Sequence, residues 1–482
     1  MRKLSATRRA FLKQSTLGAL GCALGCAARD ENPEALSKQG VVGLFPWGAV
    51  CGDVRPDGAS FVTRYWGDEL LELQIREMRT GRLAWKESCH ADAQGFVYRR
   101  VRGLAAGRSY RYVFRPIRFG RDDLFGSTPE GYFNTFAGVA SAPEVFRLAA
   151  FSCSKNGLEF PILERAAAMR FRDGSGAIDA ALLLGDTCYN DGVSHNLDAM
   201  RSRWAQNLGG PGYQALARRM PIYATYDDHE ARDNADPEGT DFSPIWRALF
   251  EHLPIERIGA QPASEARQIW RSFRLTRHVD LFRLDCRGER RPSTRGQPEE
   301  QYISQAQMDA LKGWLLESDA TFKVIMNSVP IAELPGPTAL GPMRSLPGVY
   351  TDRWQGYARQ RDDILSFIEG SNPLRRLIPG VLWISGDVHF GSVIRRISSG
   401  GAPGSRSVEI TVGPTAQDEL LLLRQAYVQT LNWSLFDRRF EWADARNNFA
   451  LLTFRPIEGY VEVEHYGEGE FEILHRTAVF PV

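Results

Sequence analysis

Four short motifs place metal-ligating side chains directly after hydrophobic runs: Phe151-Ser152-Cys153, Gly185-Asp186-Thr187-Cys188-Tyr189, Asp227-Asp228-His229-Glu230 and Gly386-Asp387-Val388-His389. Asp186 is the natural bridge between two cations, because a carboxylate offers two oxygens. Cys153, Tyr189 and His389 add a thiolate, a phenolate and an imidazole. A phenol titrates near ~10, so ionising it at neutral pH calls for a strongly Lewis-acidic ion, and ferric iron fits such a set better than zinc. Asp186, Asp228 and Asp387 offer oxygen alone, which suits calcium or another hard divalent ion such as magnesium or manganese. Two cations held ~3.5–4 Å apart polarise phosphoryl oxygens and stabilise a leaving oxygen, which is what phosphate-ester cleavage chiefly needs. His229, beside Asp228, is the candidate proton donor to the leaving alkoxide or contact to the phosphate.

These residues span more than two hundred positions, so a fold must gather them. The preceding runs, Phe146 to Ala150, Ala180 to Leu184, Pro221 to Thr225 and Val381 to Ser385, read as buried strands. Leu281 to Asp285 and Phe322 to Met326 read as two more. A parallel sheet brings the carboxyl ends of its strands to one crevice, where α/β folds bind ligands. A helical pattern over Phe160 to Arg172 between two strands makes a βαβ unit. Gln305 to Glu317, Gln360 to Glu369 and Gln417 to Leu431 are also expected to be helical. Phe449 to Phe454, Gly459 to Tyr466 and Glu470 to Val479 read as an antiparallel meander in a second sheet. Before this α/β region, residues 42–138 alternate with strand periodicity, as in Ser60 to Tyr65, Leu71 to Ile75 and Tyr110 to Phe114, and predict an all-β sandwich. Gly138 to Pro143 is the expected linker, with the catalytic domain over 145–482.

The chain has 482 residues, 59 basic and 58 acidic, so no nucleic-acid-binding surface is evident. Residues 1–30 read as a twin-arginine signal: Arg8-Arg9-Ala10-Phe11-Leu12-Lys13, then an apolar stretch to Ala28 too short to span a membrane. The twin-arginine translocase is thus an expected partner, and the location periplasmic, secreted or lipid-anchored through Cys22 or Cys26. An oxidising compartment permits the disulfides Cys51–Cys89 and Cys188–Cys286, although each cysteine can equally be a buried thiol.

The ordered motifs, with Leu284-Asp285-Cys286-Arg287, resemble the PhoD-like (alkaline phosphatase D) metallophosphatases over nearly all of the mature length, and Gly103 to Tyr112 resembles a fibronectin type III turn and strand. The resemblance implies an α/β fold with a four-layered α/β/β/α metallophosphoesterase core behind a small all-β sandwich. It also implies an Fe(3+) and Ca(2+) centre acting on phosphate mono- or diesters. On that analogy Cys153, Asp186, Tyr189 and His389 fall on the iron side, Asp228 and Asp387 on the calcium side, and His229 on the active-site histidine. Thr187, Cys188, Tyr226 and Arg232-Asp233-Asn234 depart from the family pattern; Asn234 is a candidate extra ligand. Arg287 reads either as a bidentate phosphate clamp or as a salt bridge below the site. Arg290 and Arg291 read as solvated, and Trp354 to Tyr357 as a pocket wall or packed loop. Two other readings stand beside hydrolysis of soluble esters: a phospholipase-D-like activity on lipid head groups, with Leu420 to Leu423 as an apolar rim, and a non-catalytic surface binding protein. No Gly-x-Ser-x-Gly elbow or P-loop sits at a strand–helix junction.

Overall fold

The computed structural model describes residues 43–117, 126–140, 142–171, 177–257, 262–334, 352–398, 401–417, 421–432, 438–469 and 472–480. The first seven strands make two facing sheets. One holds β1 (Ala49–Arg55), β2 (Gly58–Arg64) and β5 (Phe96–Arg102); the other holds β3 (Leu71–Glu77), β4 (Leu83–Cys89), β6 (Ser109–Pro116) and β7 (Gly131–Asn134). Tyr110 donates its hydroxyl proton to Ala105 O at 3.2 Å and accepts from Ala105 N at 3.1 Å. This tyrosine corner is a feature of immunoglobulin-like sandwiches. The sandwich is fused to the α/β region, because β1 runs parallel to β10 (Ile222–Ala224), with Gly52 opposite Ile222.

The α/β region builds two large sheets. β8 (Phe146–Ser154), β9 (Ala180–Leu183) and β10 are parallel neighbours in a ten-stranded sheet. β19 (Phe449–Arg455), β20 (Tyr460–Tyr466) and β21 (Ile473–Val479) extend it antiparallel, and β17 (Pro414–Ala416) pairs with β8. The meander therefore joins the first sheet rather than forming part of a second. Its strands satisfy the free edge of β8. The second sheet has seven strands in the order β11 (Arg271–Arg274), β12 (Val279–Arg283), β13 (Phe322–Asn327), β14 (Val381–Ser385), β16 (Val408–Thr411), β15 (Gly391–Ile394) and β18 (Phe440–Asp444).

Side-chain alternation explains the layering. Leu148, Ala150, Leu182 and Leu184 meet Val324, Met326, Leu382 and Ile384 in the core between the sheets. The intervening Ala149, Phe151, Ala181 and Leu183 face outward against α1 (Pro161–Ala168), α2 (Leu197–Gly209), α3 (Pro211–Arg219) and α4 (Ser243–His252). Ile325 and Trp383 likewise face α5 (Gln305–Glu317), α6 (Ala358–Glu369) and α7 (Leu421–Asn432). A strand covered on both faces has no polar side, so its sequence is a continuous apolar run. The product is the α/β/β/α core. Helix starts follow local chemistry: proline opens α1 and α3, Asn196 accepts from Asp198 N and Ala199 N at α2, and Ser304 accepts from Gln307 N at α5.

Some expectations change in detail. The helix expected from Phe160 to Arg172 ends at Ala168; that expected from Gln417 starts, in the described residues, at Leu421. Gly138–Ala140 of the expected linker form a 3-10 turn. The five described cysteines, Cys51, Cys89, Cys153, Cys188 and Cys286, are buried free thiols, so neither disulfide forms. Cys188 packs with the helices on the first sheet and Cys286 with those on the second, on opposite sides of the molecule. The expected signal over residues 1–30, with Cys22 and Cys26, and Leu420 lie outside the described residues. Among the described residues no helix is long and apolar enough to cross a membrane.

Candidate metal centre

Four non-glycine motif residues sit in the left-handed backbone region, Cys153 within the end of β8 and the others in the loops that follow their strands. Cys153 has φ 58°, Asp186 53°, Asp387 66° and His389 55°. Such backbone costs a non-glycine residue roughly 1–3 kcal/mol, persists where the surroundings enforce it and clusters at functional sites. The preceding glycines show the enforcement. A Cβ on Gly185 would lie 2.6 Å from Asp227 Cβ, and one on Gly386 would lie 2.2 Å from Ser152 Oγ. Each Gly-Asp pair thus permits one loop to press against another, which brings Asp186 to Asp227-Asp228 and Asp387 to Ser152-Cys153.

The ligating atoms converge as three overlapping groups: Cys153, Asp186 and His389; Asp186, Asp228 and His229; and Asp227, Asp228 and Asp387, each with its atoms within 4.8 Å of one another. Asp186 is shared by the first two groups. Its Oδ2 accepts from Cys153 Sγ at 3.3 Å and from Tyr189 Oη at 3.5 Å, and Tyr189 Oη lies 3.3 Å from His389 Nε2. The four residues of the sulfur-containing set therefore touch. Asp228 and Asp387 lie on the oxygen-only side. Asn234 is exposed; its side-chain amide donates to Asp233 Oδ2 at 2.9 Å, and its backbone N–H donates to Asp228 Oδ2.

Residues outside the ligand set hold this shape. Glu230 is buried, and its carboxylate accepts from three backbone N–H groups: Asp186 at 2.9 Å, Thr187 at 2.6 Å and Asp227 at 2.8 Å. Asn156 clips the backbone of Tyr189, accepting from its N–H at 3.0 Å and donating to its carbonyl at 2.9 Å. Gln417 donates to the Tyr189 hydroxyl at 2.6 Å. His229 stacks on Tyr189, with ring centroids 4.2 Å apart, and its Nδ1 lies 2.8 Å from Asp191 Oδ2. Carboxylate–imidazole pairs of this kind fix ring orientation and tautomer.

Arg287 is fully buried, with its guanidinium directed at Asp227, Asp228, Asp352 and Asp387. That is salt-bridge geometry beneath the site. Arg353 reaches Asp387 Oδ2 at 2.9 Å. Arg290, expected to be solvated, is buried and donates to Cys286 O and Tyr302 Oη, both at 2.9 Å from its Nη2. Trp354 is buried and packed against Tyr302 in the core of the second sheet's helical layer.

Burial sets the protonation of the free groups. It pushes the Cys153 thiol and the Tyr189 phenol well up, with Asp186 adding to both, and it pushes Asp186 up as well. It pushes His389 down to about 3, with Arg424 and His229 adding to the effect, so that imidazole is neutral and able to coordinate. His229 goes the other way: its burial is outweighed by Asp228, Asp186 and Asp191, and it holds its proton well above the usual range. Asp228 is held below the usual carboxylate range because Arg287 and His229 outweigh burial.

A family model described as PhoD-like phosphatase matches residues 148–476, well over half of the chain. The chain belongs to the PhoD-like phosphatase family. Its PhoD-like region includes all four motifs. A 223-residue stretch is 26% identical to alkaline phosphatase D of Bacillus subtilis (strain 168), covering 42% of this chain and 36% of that protein, so the match spans about a third of the relative's length. A solved structure titled "Structure of PhoD" superposes with a TM-score of 0.73 over 92% of this chain and 90% of that one, at 17% identity, which establishes the shared fold. Asp191, Glu230 as a clamp, Asn156, Gln417 and Asp352 are not singled out by the sequence. Their roles depend on contacts across 33 to 228 positions, which no local pattern encodes.

Proposed function

We propose that this protein is an exported, metal-dependent phosphoric ester hydrolase acting on phosphate mono- or diesters. The observation carrying this reading is the convergence of Cys153, Asp186, Tyr189 and His389 beside Asp228 and Asp387 at one crevice. A thiol, a phenol, a carboxyl group and a neutral imidazole in mutual contact fit a ferric ion, and the carboxylates Asp186, Asp228 and Asp387 fit calcium or a related divalent ion. Such a pair of ions supplies Lewis-acid polarisation of the phosphoryl group.

The chain's own residues supply the rest. His229, oriented by Asp191, holds a proton where the leaving oxygen of the ester can take it. Glu230 fixes the loops of Asp186 and Asp227 against each other. Arg287 and Arg353 offset the charge of the clustered carboxylates, leaving an anionic ester able to approach. The twin-arginine signal supports export of the protein already folded, with its centre assembled. One observation favours lipid head groups as a second reading: Arg424 of α7 donates to His389 O at 3.4 Å, and the same helix exposes Leu421, Leu422 (86% exposed) and Leu423 beside the site. Purified protein should hydrolyse bis-p-nitrophenyl phosphate or p-nitrophenyl phosphate at alkaline pH, and Asp186→Ala should abolish it. Full turnover by that variant, stripped of metal, contradicts the proposal. A preference for phosphorylcholine esters presented in vesicles over the soluble diester favours the second reading.

A further inference from the structure

Away from the cation cluster, four arginines share one carboxylate. Glu256 lies 2.7 Å from Arg55 Nε, 3.1 Å from Arg100 Nε, 3.5 Å from Arg102 Nη2 and 2.6 Å from Arg271 Nη1. Among the described residues these arginines have ion pairs with no other acid. The nearby Asp53 is already engaged: both its oxygens are taken by Arg283, at 2.7 and 3.0 Å, and one also accepts from Glu256 N. Burial would raise the Glu256 carboxyl, but Arg100, Arg55 and Arg271 outweigh it and hold it down at about 2, so Glu256 is ionised. Its single charge leaves most of the cluster's positive charge uncompensated.

Tying β1, β5 and β11 to the segment after α4 needs one arginine per contact at most, and four guanidinium groups converging on two oxygens repel one another. The arrangement is also open on one side. Arg102 is 68% and Arg55 30% exposed along their side chains, whereas Arg100 is 12% exposed, and its Nη2 is buried with no hydrogen-bond partner among the described residues. Planar guanidinium groups with donors to spare match the oxygens of a phosphate.

Topology puts this cluster on the same rim as the cation cluster. β1 ends at Arg55 alongside parallel β10, whose continuation carries Asp227 and Asp228. Arg271 pairs across β11–β12 with Arg283, four residues before Arg287. Four residues span at most ~14 Å. That bounds the backbone between Arg283, opposite Arg271 of the arginine cluster, and Arg287, whose guanidinium meets Asp227, Asp228 and Asp387 of the candidate metal centre.

We propose that Arg55, Arg100, Arg102 and Arg271 form a second anion-binding subsite, which holds a further phosphate group of an extended, multiply phosphorylated substrate. The site is separate from the cation cluster and does not depend on hydrolysis, so it can be tested where no turnover occurs. Tripolyphosphate and inorganic phosphate are titrated calorimetrically into metal-free Asp186→Ala protein, and into the same protein carrying Arg102→Gln or Arg55→Gln with Arg102→Gln. The expected result is one tripolyphosphate site that weakens with added salt. Its affinity should fall severalfold in the single variant and at least tenfold in the double variant, with thermal midpoints unchanged for Arg102→Gln. Inorganic phosphate should bind the same site more weakly. Equal tripolyphosphate affinity with and without the arginines overturns the proposal, as does no binding at millimolar ligand. Inorganic phosphate binding as tightly as tripolyphosphate overturns the extended-chain occupant.

Discussion

Replacing Glu230 should dismantle the site without touching a candidate ligand. Its carboxylate is the acceptor for the N–H groups of Asp186, Thr187 and Asp227, all in buried surroundings. Leaving a buried donor without a partner costs ~1–3 kcal/mol, so Glu230→Ala should lose about 3–6 kcal/mol if water reaches the gap only in part. Against a total of ~5–15 kcal/mol for an ordinary domain, that is a large fraction. Glu230→Gln separates the contributions. Its amide oxygen can keep the two donors now on Oε2, from Asp186 and Asp227, while its NH2 would face the Thr187 N–H; the loss should be about 1–3 kcal/mol. Because the same hydrogen bonds enforce the positive φ of Asp186, bound metal and hydrolysis should fall with stability, in the order wild type, Gln, Ala. Urea unfolding of metal-free protein, with metal content measured after reconstitution, tests this. An alanine variant within about 1 kcal/mol of wild type and fully loaded with metal would show that Glu230 does not hold the two loops together.

Three further outcomes rest on the geometry. Asp191→Asn should lower kcat about 10- to 100-fold with little change in KM, since the carboxylate acts through His229, whose Nδ1 it holds; equal losses in Asp191→Asn and a distant surface variant would contradict this. Burial pushes His252 down to about 3 and His465 down to about 4, against about 6.5 in an unfolded chain. Both are neutral when folded, so their contribution is complete above the unfolded value and is lost as pH falls through 6.5 toward 4 and 3. Metal-free thermal midpoints should decline over that window, less steeply in His252→Gln, and an unchanged slope counts against the account. Burial, with Asp186, keeps Cys153 and Tyr189 protonated in the free protein, so loading ferric iron should release more than one proton per ion in a weakly buffered solution; none released would remove both as ligands.

The α/β/β/α core is legible in the sequence because its strands are buried on both faces and read as unbroken apolar runs: Val381 to Ser385 is β14 residue for residue, and Phe322 to Met326 falls one short of β13. The run Phe146 to Ala150 predicts a strand ending before Cys153, yet β8 continues through it, since β17 pairs with this end of the strand and Pro414 lies opposite Ser152. Strands β15 and β16 are not legible, because polar residues (Ser392 in one, Glu409 and Thr411 in the other) break what would otherwise be apolar runs. The fusion of the sandwich to the core through β1 and β10 is a backbone pairing between distant segments, with no side-chain signature. At the site, residue types identify the candidate ligands, whereas Arg287 stays ambiguous: a guanidinium that clamps phosphate and one that neutralises Asp227 look alike until Asp227 is seen beside it. Cys188 and Cys286 illustrate the same limit, since both come after strands yet pack in different layers.

Cys153, Asp186, Tyr189 and His389 are proposed to bind one ferric ion. Elemental analysis and a visible absorption spectrum of the purified protein, beside its Tyr189→Phe variant, test it most directly. Iron is expected, with a tyrosinate charge-transfer band that disappears in the variant. A colourless, zinc-only protein, or a band that survives the loss of Tyr189, would contradict it.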